Sequence, residues 1–305
     1  MIKVYFKKAV IGLIILIILG ALFQQRVRIK DVILGFDNPD LPKPITYAEI
    51  KDALDRAGSA DNQTQEDIPK PTAEEINAVI RQVQDRAQET EQETTTEVSS
   101  EFVGQGIPSE YNLAIPFSPQ APHANWELPY QEACEETSLI MVDRYFKNQT
   151  LSADEADKDI HKLVLWQKQR FGYYEDTKAR EVVVIGREYF DFNVELDYDV
   201  TAENIKKHIS DNKIVIVPAA GQMLGNPYFT GLGPVYHMLV IRGYTEDKFI
   251  TNDPGTKRGK EFLYDYNTLI NAIHDWPLNT GGDSQSITAE VMATGEKVLI
   301  VVSVK

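Results

Sequence analysis

From Ile107 to the C-terminus, apolar residues recur in short runs with Gly and Pro between them. "NVELDYDV", "KIVIVPAAG", "YHMLVIRGY", "KFITNDP" and "KVLIVVSVK" alternate or run apolar over strand-like lengths, and they predict five strands. "TSLIMVDRYF", "AREVVVIGREYF" and "TAENIKKHIS" repeat apolar positions at three- and four-residue steps and predict helices. Helices dominate the first part of this region and strands the second, with a hairpin at "IRGYTEDKFITND". That order predicts an α+β domain over 108–305, with N-terminal helices packed on a mainly antiparallel sheet.

Upstream the pattern is different. Ala9–Phe23 is apolar without a break and has basic residues on both sides. Fifteen helical residues span about 22 Å, less than the roughly 30 Å of a hydrocarbon core. Val4–Phe6 and snorkelling of Lys7 and Lys8 extend the reach, so residues 4–23 are expected to meet the membrane, with 1–30 an anchor or a cleaved signal segment. Basic residues balance on the two sides of the run, and short basic tails stay inside. The C-terminal domain is therefore expected to be extracytoplasmic, on a single-pass protein.

Residues 31–107 read as an acidic, partly helical or disordered stalk. "YAEIKDALDRAG" and "TAEEINAVIRQVQDRAQETEQE" have helical composition, and "ETEQETTTEVSSE" has almost nothing to bury.

Charge and cysteine usage narrow the chemistry. A net charge of −15 argues against a nucleic-acid partner. The six basic residues of 1–30 meet no acid there, so the rest is more acidic still. The single cysteine, Cys134, allows no internal disulfide. No glycine-rich nucleotide motif follows a strand and no zinc-type spacing occurs, so neither a cofactor nor a metal is expected.

Cys134 falls just before an apolar helical run, where unpaired N–H groups and the helix dipole favour a thiolate. Glu132, Glu135 and Glu136 act against that, because nearby carboxylates raise a thiol's pKa. A reactive thiol here needs a cation. Of five histidines, His123 lies in a loop and His161 and His208 in helix-like surface stretches. His237 opens an apolar strand beside a Gly/Pro-rich loop, and His274 precedes an acid. Both remain candidates for the base.

Asp253 is the natural orienter for His237, and register decides whether it reaches. A regular four-residue loop "TEDK" pairs Asp253 with Val240, on the face opposite His237. One bulge, or an odd loop, moves it onto the same face. Trp126, Tyr130, Tyr228 and Tyr236 are candidate substrate-binding aromatics.

The pieces "IPFSPQAPHANWELPYQEACEETSLIMV", "GNPYFTGLGPVYHMLVIRGY" and "FITNDPG" resemble the bacteriocin-processing, or double-glycine, cysteine peptidase-like family, family thirty-nine of the cysteine peptidases. The resemblance covers about residues 112–256 and implies a papain-like fold. Carried over by position, it implies Cys134 as nucleophile, His237 as base, Asp253 as orienter and Gln120 as the oxyanion-hole side chain. Gln131 is a nearer alternative to Gln120. Two departures stand out: Glu135 follows the cysteine where many relatives have Gly, and no transporter segment accompanies the domain.

The expected activity is a membrane-tethered cysteine peptidase or amidase acting on a peptide or protein. A catalytically inactive peptide-binding domain and transglutaminase-like acyl transfer are the alternatives.

Overall fold

The computed structural model describes residues 41–61, 106–278 and 287–305. The apolar run 4–23, the anchor or signal segment 1–30 and the stalk stretch 62–105 lie outside the described residues. Among the described residues no helix is long and apolar enough to cross a membrane.

The described elements are, in chain order, α1 (Tyr47–Asp61), β1 (Tyr111–Asn112), α2 (Cys134–Phe146), α3 (Ala153–Arg170), α4 (Ala179–Glu188), β2 (Asn193–Asp197), α5 (Ala202–Ser210), β3 (Ile214–Ala220), β4 (Tyr236–Tyr244), β5 (Lys248–Asn252), β6 (Phe262–Asp265), α6 (Tyr266–Ala272), α7 (Ala289–Met292) and β7 (Leu299–Ser303). The sheet runs β2-β7-β3-β4-β5-β6, with β1 added to β4. Every strand pair is antiparallel. The architecture is thus mixed α+β, with helices preceding most of an antiparallel sheet.

β3 and β4 are buried at every position, which is why "KIVIVP" and "YHMLVI" read as continuous apolar runs rather than alternating ones. α2 packs across β4: the Ser138 hydroxyl donates to the Met238 carbonyl at 3.4 Å. Cys134 lies one turn before Ser138, so this crossing brings the thiol to the strand end that carries His237.

Three features were not legible beforehand. α3, the longest helix of the domain, was recognised only around His161; a complete Ser152/Glu155 capping box starts it. β6 follows a loop too polar to read as a strand approach. The third concerns Ile45–Ile50, which the pattern places in the stalk. Ile45 N–H donates to the Asn112 carbonyl at 2.8 Å and Ala114 N–H to the Ile45 carbonyl at 2.8 Å. Ile50 is buried, and Tyr47 packs edge-on against Tyr145 and Phe146. Here a few apolar residues in a polar context find a groove on the domain, which local composition does not reveal.

The hairpin carries the bulge that the triad reading requires. Tyr244 pairs with Phe249 across Thr245–Lys248, and the register shifts between Ile241 and Gly243. Val240 then pairs with Asn252, so continuing the register sets Asp253 opposite Leu239, diagonal to His237. The residue at the shift is Arg242. Its buried guanidinium donates to Asn112 Oδ1 at 3.0 Å and to the Ile115 carbonyl at 3.0 Å, and it lies 3.4 Å from Glu261. Burial lowers its pKa to about 10. Beside it Gly243 lets β1 approach: a Cβ there would sit 2.3 Å from the Tyr111 carbonyl oxygen.

Candidate active site

A cavity of about 560 Å³ opens between the start of α2 and the start of β4. Cys134, Gln120, Gln131, Trp126, Tyr228, Tyr236 and His237 line it. Tyr130 and His274 are not among the lining residues. The Tyr130 hydroxyl instead bonds Asp157 and His161, and burial with the Asp157 bond pushes its pKa to about 12, the bond being the larger cause. His274 Nδ1 faces the Gly295 carbonyl at 2.7 Å. The structure therefore brings His237, not His274, to the thiol's cavity. Tyr236 is nearly buried, its hydroxyl donating to the Thr177 carbonyl at 3.0 Å and approaching Asp275 at 3.2 Å.

His237 is held from several sides. Its Nε2 lies 2.8 Å from Asp253 Oδ1, and both residues are buried. Asp253 Oδ1 also accepts from Gly255 N–H at 3.0 Å, while Oδ2 accepts from Asn226 Nδ2 at 3.0 Å and from the Tyr264 hydroxyl at 2.6 Å. Burial on its own would push the Asp253 carboxyl up, but His237, then Tyr264 and Gly255, hold it below the usual range. Phe229 packs edge-to-face on the imidazole at 5.4 Å. Gly255 lies against the ring, and a Cβ there would come 2.8 Å from Cε1. With Nε2 given to Asp253, Nδ1 is the ring nitrogen left for proton transfer.

Asn226 and Tyr264 were missed in the sequence. "GNP" reads as a turn, and Tyr264 reads as one more aromatic; only the fold shows both converging on Asp253.

The thiol side is built otherwise. Cys134 is 6% exposed and begins α2 after Ala133, which provides no side-chain cap. Its Sγ donates to Glu135 Oε2 at 3.0 Å. Burial pushes the thiol well above its ordinary range, and Glu135, Glu136 and Glu132 add to this. Glu135 is itself raised, first by burial and then by Glu136. Glu136, bonded by Gln167, is pushed to about 8, chiefly by burial. Glu135 and Glu136, in the first turn of the helix, are thus interior groups.

Gln120 is held by its backbone N–H on the Pro254 carbonyl at 2.9 Å, which ties the loop before α2 to the segment after Asp253. Its side-chain Nε2 donates to the Tyr130 and Gln131 carbonyls, each at 2.9 Å.

The model of the Peptidase_C39 like family matches residues 112–281, more than half of the chain. The chain belongs to this family. No curated protein matches it. A crystal structure from Bacillus anthracis, described as that of a C39-like peptidase, shares 14% identity with it, covering 63% of this chain and 96% of that one, with a TM-score of 0.40. In this C39-like chain the matched region spans the whole cavity, from Gln120 to the loop after Asp253.

Proposed function

We propose that the chain is a cysteine peptidase or amidase of papain-like fold, tethered to a membrane through residues 4–23 with the domain on the extracytoplasmic side. It hydrolyses peptide or amide bonds through Cys134, His237 and Asp253, with Gln120 at the oxyanion. The observation that carries the reading is the meeting of Cys134 and an Asp253-bonded His237 in one cavity, from elements a hundred residues apart. Family membership supports the reaction class.

On this reading His237 Nδ1 takes the thiol proton, and the thiolate attacks the substrate carbonyl. The C–N bond then breaks, and the amine leaves with the proton returned by His237. Water, deprotonated by the same imidazole, hydrolyses the thioester and frees the carboxylate. The Cys134 N–H at the uncapped helix start is one oxyanion donor. Gln120 is the second, provided substrate exchanges one of the carbonyls now holding Nε2.

A second reading has an observation in its favour. A thiol that donates to Glu135 and is held neutral suits a peptide-binding domain without catalysis. Acyl transfer to an amine uses the same three residues.

The test is cleavage of a mixed library of internally quenched peptides by the full chain, beside Cys134→Ser and His237→Ala. Cleavage lost in both variants, with unchanged circular dichroism, supports the peptidase. Cleavage that survives Cys134→Ser sinks it. Products formed with an added amine separate hydrolysis from acyl transfer.

A further inference from the structure

Five side chains on the Cys134 side of the cavity end in acceptor oxygens: Gln120, Gln131, Glu132, Glu135 and Asp176. Gln120 is 5% exposed and Glu135 1%, yet neither Gln120 Oε1 nor Glu135 Oε1 has a donor. The other ends of both groups are committed, Gln120 Nε2 to two backbone carbonyls and Glu135 Oε2 to the Cys134 thiol. The Gln120 amide cannot turn over without setting its oxygen against those carbonyls. Among the described residues no ion pair involves Glu132 or Glu135.

A buried acceptor without a donor costs about 1–3 kcal/mol. Two of them beside further carboxylates, at the nucleophile, suit a ligand that supplies the missing donors. The acceptors are not gathered as a metal-ligand set: among the described residues no three His, Cys, Asp or Glu side chains are grouped to hold an ion. They are spread along a wall, which fits a polyatomic cation with several N–H donors. The other wall has the opposite charge, since Lys257 and Arg258 line the cavity just after Asp253-Pro254-Gly255.

We propose that this acidic wall is a subsite for a primary ammonium group of the substrate, held by Glu135 Oε1 and Gln120 Oε1, with Glu132 and Asp176 adding negative charge. The ammonium is either a peptide's amino terminus or a lysine-type side chain. The proposal rests on the peptidase reading only in calling the ligand a substrate. Occupancy has a consequence for chemistry. An ammonium beside Glu135 adds positive potential at Cys134 and favours the ionised forms of both the carboxyl and the thiol, so the thiol proton passes to His237 more readily when substrate is bound.

Because Cys134 is the sole thiol of the full chain, its modification rate reads the subsite directly. The probes are 2-aminoethyl and 2-sulfonatoethyl methanethiosulfonate, cationic and anionic; in each case Sγ forms a disulfide and methanesulfinate leaves. Rates are normalised to N-acetylcysteine at about 1 M salt, where a screening length of about 3 Å removes the pull of the overall charge.

The expected preference for the cationic reagent is about tenfold or more. It should fall to about twofold or less in Glu135→Gln and in Glu132→Gln, the latter at a partly buried position outside the core, with the fold of each variant checked by circular dichroism. A preference near unity in the wild type, or one surviving both substitutions, overturns the subsite. Protection of Cys134 from methyl methanethiosulfonate by glycinamide assigns the ammonium to a chain terminus. Protection by Nα-acetyl-lysine amide assigns it to a side chain, and protection by neither overturns the assignment. Charge preference without peptide cleavage would leave the subsite standing and sink the peptidase. Cleavage without charge preference would do the reverse.

Discussion

On the histidine wall of the cavity, each oxygen of Asp253 has two donors, and the imidazole is braced by Phe229 and Gly255. On the thiol wall, Gln120 and Glu135 each keep a buried oxygen without a donor, as does Glu136 next to them outside the cavity lining. The first wall has its hydrogen bonds complete, so the fold sets the direction of the His237 ring. The second keeps unpaired oxygens, and burial with the nearby glutamates holds the Cys134 thiol protonated. Preorganisation in this molecule is thus uneven: the imidazole is braced by its partners, whereas the thiol lies among buried carboxyl groups that raise its pKa.

Several substitutions would break or sharpen that contrast. Cys134→Ala and His237→Ala should each lower peptide cleavage by about 10⁴-fold or more, since the two act as one unit; equal losses in the single and double variants would show it. Asp253→Ala should reduce activity and also stability, by about 3–5 kcal/mol in urea unfolding, because it strips four donors of a buried partner. A melting curve like that of wild type would mean the histidine wall is less tightly built than its hydrogen bonds indicate.

Glu136, next to Glu135 but outside the cavity lining, tests the thiol side through pH. Its folded pKa, about 8, lies above the ordinary 4.5, so between those values the folded state binds a proton that the unfolded state has released. Stability from this group is complete below about pH 4.5 and is lost as pH rises to about 8, at up to about 1.4 kcal/mol per pH unit. In Glu136→Gln that part of the slope should vanish, and an unchanged slope in urea titrations at pH 5 and 8 would place the charge elsewhere. Asp253, whose pKa is lowered, acts in the opposite sense and only at acid pH, where stability is lost as pH falls.

Smaller effects follow. Gly255→Ala puts a methyl 2.8 Å from His237 Cε1; displacing the ring by a fraction of an ångström should cost about 10²-fold in kcat, with the fold intact by circular dichroism. His274→Ala should change thiol labelling by about twofold or less, since its ring faces the Gly295 carbonyl outside the cavity. A large effect there would return it to candidacy as the base.

Much of the fold was legible. The helix after Cys134 and the five strands stand where the apolar pattern put them, because fully buried strands and amphipathic helices leave periodic traces. The need for a bulge was legible too, from side-chain parity, and the register shift at Arg242 meets it. Less visible was the packing of Ile45–Ile50 onto the domain, or the interior position of Glu135 and Glu136. At a helix start, glutamates carry the same local signature whether they meet water or protein.

The residue types and their order along the chain determined the candidate chemistry: one thiol at a helix start, a histidine opening a strand, an aspartate across a hairpin. Those are local facts, set by periodicity, capping and parity within a few residues. Which histidine shares the thiol's cavity, what holds Asp253 and where the unpaired oxygens lie depended on contacts between residues tens to a hundred positions apart. The packing of α2 across β4 decided them, because burial is a property of the assembled layers and no short segment carries it.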